Sequence, residues 1–202
     1  MLNRAKALVT VLAATLALAA CGGDAEPADP PDAVRTAVNG DEFNNADVAF
    51  ATDMIPHHDQ ALEMVDLTIG RELDPEVAGL AEEIRAAQGP EIEQLVDWLT
   101  AWDEQIPETA RDHENADGDG EMDMGDMPGM MSADEMTDLE EATGAAFEER
   151  WLEMMAEHHA GAIEMARAEQ TDGAFAPAVS LAESIADSQE REVAAIEDLL
   201  GD

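Results

Sequence analysis

The chain has no tyrosine, one cysteine and only seven phenylalanine and tryptophan residues, and Lys6 is its only lysine. A lone cysteine cannot close an intramolecular disulfide, so covalent staples do not hold the fold. Few aromatics leave the core to aliphatic side chains and methionine. Basic residues number 9 against 48 acidic, a formal net charge of −39. Such a surface repels nucleic acid and anionic lipid, and neither is expected as a partner. It concentrates cations without selecting one metal over another. No segment alternates apolar and polar residues as a half-buried strand would. No phosphate-binding loop and no nucleophile–base arrangement is visible, which argues against kinase or ordinary hydrolase chemistry.

The only long apolar stretch, Ala7 to Ala20, follows Arg4 and Lys6 and is short for a bilayer span. It ends in Leu18-Ala19-Ala20-Cys21, the arrangement of a lipoprotein signal cleaved before a cysteine that takes lipid on its sulfur. Residues 1–20 are therefore expected to be a signal peptide. Residues 21–43 are expected to be a lipidated cysteine and flexible tether, with Gly, Pro and Asp dominating its first half. The mature protein would be exported and anchored to the outer face of the cell membrane. Its charge would be two units more negative, because Arg4 and Lys6 leave with the signal.

What remains is a duplication. Shifted by 101 residues, Phe50–Leu99 aligns with Trp151–Leu200 without a gap, and 14 of the 50 positions are identical. The shared positions concentrate on chemistry-bearing types. The first copy reads Met54-Ile-Pro-His-His-Asp-Gln-Ala-Leu-Glu-Met64, and the second Met155-Ala-Glu-His-His-Ala-Gly-Ala-Ile-Glu-Met165. Gln88 and Glu91 are matched by Gln189 and Glu192.

Four helical stretches carry the repeat. In the first, Asn44 to Gly70, residues Phe50, Met54, His57, Ala61 and Met64 form one seam. Pro56 is expected to kink it or to mark a restart. The second, Pro75 to Trp102, aligns Leu80, Ile84, Gln88, Glu91, Leu95 and Leu99, with a bend expected at Gly89-Pro90. The third opens with a capping box, Ser132-Ala-Asp-Glu135, and runs to about Gln170, with Gly144 as a point of interruption. The fourth spans Ala176 to Leu200. Short connections make each pair an antiparallel hairpin. The fold class is all-α, a ferritin-like four-helix bundle of two duplicated hairpins. The bundle domain spans 44–202: a first hairpin at 44–103, an acidic Met-rich loop at 104–131 and a second hairpin at 132–202.

Methionine is confined to these motifs and to the loop. Beyond Met1, the sulfurs are Met54, Met64, Met154, Met155 and Met165 in the repeats, and Met122, Met124, Met127, Met130, Met131 and Met136 in or beside the loop. Core filling alone would scatter methionine along all four helices. A single seam Met or His is usually structural, but two identical Met-x-x-His-His elements make a metal site the better reading. Met54 lies three and four positions before His57 and His58, so all three share a helix face; Met155, His158 and His159 repeat this. Thioether and imidazole donors together suit a soft ion such as Cu(I). Ligating histidines must be neutral, so binding should weaken below about pH 6. Glu63, Gln88, Glu91, Glu164, Gln189 and Glu192 are candidates for orienting the histidines or for binding metal directly. A polar layer that fixes helix register is the alternative for the seam residues among them. The loop methionines, with His113 as an adjunct, are candidates for capturing metal.

These residues resemble the bacterial domain-of-unknown-function family 305 (DUF305). The pattern Asp47-x-x-Phe50-x-x-x-Met54-Ile55-Pro56-His57-His58 carries the resemblance in the first half. Trp151-Leu152-x-x-Met155-x-x-His158-His159-x-Gly161-Ala162-Ile163-x-Met165-Ala166 carries it in the second. Gln88-x-x-Glu91-Ile92 and Gln189-x-x-Glu192-Val193 also fit, and Gly89-Pro90 is a departure. The resemblance implies a ferritin-like bundle, often exported, with copper binding or resistance associated with some members.

The function expected is membrane-anchored Cu(I) or Ag(I) binding, with buffering or transfer of the metal to a partner protein, rather than enzymatic catalysis. One alternative is a di-iron or di-manganese oxidase. That site needs Glu-x-x-His on two helices, and Met54 and Met155 stand where the glutamates would be. A metal-free helical interaction scaffold is the other alternative.

Overall fold

The computed structural model describes residues 33–109 and 127–201. The signal, Cys21, His113, Met122 and Met124 lie outside the described residues. Five helices account for most of the rest: α1 (Asn45–Asp66), α2 (Pro75–Trp102), α3 (Ala133–Glu141), α4 (Ala145–Asp172) and α5 (Ala176–Leu200). The all-α bundle of two antiparallel hairpins, α1–α2 and α4–α5, is as the repeat requires. The expected third helix is divided. α3 has its capping box, Ser132 and Glu135 bonding each other's backbone amides, but the chain turns out of helix at Ala142 and restarts after Gly144, whose φ is +59°. Arg71 holds that break. Its guanidinium donates to the carbonyls of Glu140 and Ala142, which an unbroken helix would use itself, and lies over the Phe147 ring at 3.9 Å.

Neither proline interrupts its helix. Pro56 and Pro90 both sit inside continuous helical spans, so the restart expected at Pro56 does not occur. Each lacks one ladder donor, and packing on either side holds the helix together. Residues 33–43, grouped with the tether on composition, carry a two-stranded hairpin, β1 (Arg35–Thr36) with β2 (Glu42–Phe43). Phe43 stacks on Trp102 at 4.5 Å, and Arg35 bonds Glu104. Two-residue strands are too short to show alternation in sequence.

α1 and α4 make the main contact between the hairpins, with α2 and α5 flanking them. Reciprocal caps fix this arrangement. Asp47, at the start of α1, accepts from the amides of Ala174 and Phe175 just before α5. Glu148, at the start of α4, accepts from the amide of Asp74 just before α2. The two caps are related by the 101-residue shift. Each hairpin thus ties off orphan donors at the other's turn.

The core is split in two. One apolar cluster takes Ala61, Met64 and Val65 of α1, Leu80 and Ile84 of α2, Trp151 and Met155 of α4 and Ile196 of α5. The other takes Phe50, Met54 and Ile55 of α1, Leu95 and Leu99 of α2, Ala162 and Ala166 of α4 and Ile185 of α5. On every helix the residues between the two clusters are the repeated polar ones: His57-His58, Gln88 to Glu91, His158-His159, and Gln189 to Glu192.

Candidate metal centre

All four motif histidines have zero solvent exposure, as do Met54 and Met155. Seam spacing explains this. A histidine at the position of a core leucine is carried inward by the same 3.6-residue period. The His57 and His158 rings meet across the two hairpins with centroids 3.8 Å apart and planes tilted by 39°. His58 and His159 turn instead toward their own hairpins. His58 Nε2 lies 2.8 Å from Glu91 Oε2, and His159 Nε2 lies 2.6 Å from Glu192 Oε2. A carboxylate can only accept, so each Nε2 donates, and in a neutral ring the lone pair is then on Nδ1. His57 Nε2 likewise donates to the Pro128 carbonyl at 3.1 Å.

The other side of each ring is bare. The Nδ1 atoms of His57, His58, His158 and His159 have no hydrogen-bond partner, nor has His158 Nε2. Both amide atoms of Gln88 and the carbonyl oxygen of Gln189 are in the same condition. Buried polar atoms without partners cost free energy, about 1–3 kcal/mol each. These atoms cluster in the one polar layer between the two apolar halves of the core.

Electrostatics favour neutral rings. Burial, and then the adjacent His58 ring, lower the pKa of His57 to about 3. Burial, reinforced by His57, holds His158 well below its ordinary value. Both rings are therefore held neutral to a lower pH than a free imidazole.

The remaining candidates separate by position. Glu91 and Glu192 reach the histidines as acceptors. Gln88 and Gln189 are buried in the layer, and Met154 is buried one turn before His158. Met64 and Met165 lie seven positions beyond His57 and His158, about 10 Å along the helix, so they do not flank the layer. Met64 is packed in one apolar cluster, while Met165 lines a cleft of about 250 Å³ with Phe50, Asp53 and Glu169. Glu164 is solvent-exposed and Glu63 half-buried, neither inside the enclosed layer. Among the described residues, no three His, Cys, Asp or Glu side chains gather so as to hold a metal. Met54 and Met155, one turn before the histidine pairs, are buried in the apolar clusters on either side of the layer.

The end of the Met-rich loop is seated on this layer, which sequence reasoning missed. Gln60 donates to the Met131 carbonyl at 2.8 Å and accepts from its amide at 2.7 Å. Met131 is buried, and Met127 and Met130 are half-buried. Gly161 makes room: a Cβ there would lie 1.9 Å from the Pro128 carbonyl oxygen. Gly129, at φ +76°, presses against the carbonyls of Glu157 and His158. The available signal was the one place inside the motif where the copies exchange a large polar residue for glycine, Gln60 against Gly161.

No helix among the described residues is long and apolar enough to cross a membrane. No curated protein matches the chain. Solved structures do. A DUF305 protein from Streptomyces coelicolor, described as secreted, is 33% identical, with 77% of this chain and 92% of that one covered and a TM-score of 0.66. A DUF305 fragment from Deinococcus radiodurans is 25% identical over 83% of this chain and 99% of that one, also at 0.66. CopM in a Cu(II)-bound form is 24% identical over 77% and 95% of the two chains, at 0.61, a likeness of fold. The family model described as domain of unknown function DUF305 matches residues 47–200, across both hairpins and the loop between them. The chain belongs to the DUF305 family.

Proposed function

We propose that this protein binds a soft monovalent cation, Cu(I) or Ag(I), in the enclosed histidine–methionine layer. The observation that carries the reading is the set of bare Nδ1 atoms. Acceptors hold the Nε2–H of three imidazoles, and their Nδ1 atoms are left without partners in a buried layer bordered by Met54 and Met155. This is how a protein orients metal-binding histidines, with an outer acceptor fixing tautomer and ring direction. His57, His58, His158 and His159 would supply nitrogen, and Met54 and Met155 sulfur. Neutral N and S donors match Cu(I) better than a hard cation. Glu91 and Glu192 are already engaged by histidines, which gives the di-iron alternative less support. The reading is also supported by CopM, a structural neighbour solved in Cu(I)-, Cu(II)- and Ag-bound forms.

Buffering or handover from the envelope surface completes the proposal, with Cys21 as the lipid anchor. The secreted S. coelicolor relative fits an exported protein. Cys21→Ser should move the protein from the membrane fraction to the soluble one; unchanged fractionation removes the anchor. For the metal, a chromogenic chelator should compete with wild type for Cu(I). It should outcompete a His57→Leu/His158→Leu variant whose helix content is intact by circular dichroism. Equal affinity in the two proteins overturns the bundle site.

A further inference from the structure

The four imidazoles and the Met54 and Met155 side chains have no solvent exposure, so an ion has no open route to them in this conformation. Something must move. The helices around the layer are joined on both sides to apolar clusters, and parting them would expose either half-core. The segment Met127–Met131 is held by far less. Among the described contacts it makes one hydrogen bond to His57 and a pair to Gln60, and it lends one buried side chain, Met131, to the edge of an apolar cluster. It also lies directly on the layer, its Pro128 carbonyl bonded to a histidine nitrogen and its backbone pressed against α4 at Gly161.

We propose that Pro128–Met131 is the gate of the histidine layer and that Gln60 is its latch. The inference rests on the metal-binding reading and adds its route of entry. The Gln60 amide pairs with both backbone groups of Met131, so rotating or removing it releases the segment while leaving the helices joined. Opening withdraws the Pro128 carbonyl from His57 and uncovers that ring. Met127 and Met130 flank the carbonyl on a half-buried surface, so a soft ion arriving there meets thioethers before imidazole. Closing restores an enclosed, water-poor layer in which a Cu(I) ion is shielded from oxidants. Gln60 is thus a positioning residue, acting on the site through the segment it holds.

The test is kinetic and uses the full chain. Uptake of Ag(I), which is redox-inert here, and of Cu(I) is followed by stopped flow from a chelator complex, and release by chelator challenge. Gln60→Leu removes both latch bonds and should speed uptake and release together, each on the order of tenfold, with equilibrium affinity moved much less. Gly161→Ala should act in the same direction, because its methyl cannot coexist with the seated Pro128. Amide exchange supplies a second readout, with Met131 exchanging faster in Gln60→Leu while core amides of α1 and α4 keep wild-type protection. Wild-type uptake and release rates in Gln60→Leu would overturn the gate alone. So would an acceleration matched by faster exchange throughout the helices, since metal would then enter by unfolding. A wild-type chain that takes up neither ion would defeat the metal reading, and the gate with it.

Discussion

The two halves of the bundle carry one motif in two settings. In both, the second histidine is held by a glutamate 33 residues on, and the first is buried against its counterpart. Beyond that they part. His57 has a carbonyl from the loop, whereas both His158 nitrogens are bare. Gln60 grips the loop where Gly161 yields to it. Thr68 stands where the second half has Glu169, a carboxyl buried beside Asp47. What repeats is the arrangement that orients ligands, and what differs is the arrangement that covers them.

The comparison is tested most severely at the ligands. If the halves contribute equally, His57→Leu and His158→Leu should each cost on the order of 1,000-fold in Cu(I) affinity, about 4 kcal/mol. Glu91→Gln and Glu192→Gln should each cost only about 10–100-fold, as loss of an outer partner usually does. A tenfold disparity within either pair, measured by chelator competition, breaks the equivalence. The cover should be more lopsided. Gly161→Ala is expected to lower stability by about 3 kcal/mol through overpacking, unless the loop undocks. Gln60→Ala should cost about 2 kcal/mol for two buried backbone groups left without partners. Urea denaturation of the metal-free chain measures both.

The pH dependence adds a second contrast, because a buried histidine in each half is shifted down while Glu169, found in the second half alone, is shifted up. His57 has its folded pKa near 3 against an ordinary 6.5. Between those values the unfolded chain binds a proton that the folded chain does not, so stability falls as pH drops through that window. Glu169 is raised to about 9 from 4.5 by burial, and then by the neighbouring carboxyls of Asp47 and Asp172. Between those values the folded state holds the extra proton, so stability falls as pH rises. Glu169→Gln should flatten the decline between pH 5 and 9, and His57→Leu the one between pH 6.5 and 3. Slopes of urea stability against pH that match wild type would show that these groups do not set it. Smallest of all should be the exposed ion pairs Asp66–Arg85 and Arg167–Glu190, one in each hairpin. Replacing either arginine with alanine should change stability by less than about 0.5 kcal/mol.

The helices and the layer were legible because periodicity and repetition report on burial. A histidine on an apolar seam, seen twice at one spacing, is inside; Ser132 and Glu135 announce a helix start through side-chain chemistry alone. The break at Ala142–Gly144 was only half legible. Gly144 marks the place, but Arg71, which bonds the freed carbonyls, is some 70 residues away. The restart considered at Pro56 failed for a related reason, since local propensity cannot count the packing that carries a helix across a missing donor. The seating of Pro128 on Gly161 was invisible because close approach between two backbones leaves no pattern beyond a glycine. Which way each imidazole turns depends on acceptors, one of them a backbone carbonyl, that seam spacing does not specify.

The divided core has a consequence for the symmetry of the molecule. Each apolar cluster draws side chains from both hairpins, so a lone hairpin would own half of each and complete neither. Its missing half is supplied by a second hairpin turned end for end, because the chain direction through the clusters reverses between α1 and α4. That is the self-complementary interface of a twofold dimer, with residue i of one subunit facing its own equivalent in the other. His57 against His158 is such a pair, and the caps are the reciprocal kind: Asp47 on Phe175 and Glu148 on Asp74 exchange roles across the same axis. The fold thus has the symmetry of a twofold dimer within a single chain, and Gln60 and Gly161 mark where its two copies depart from that symmetry.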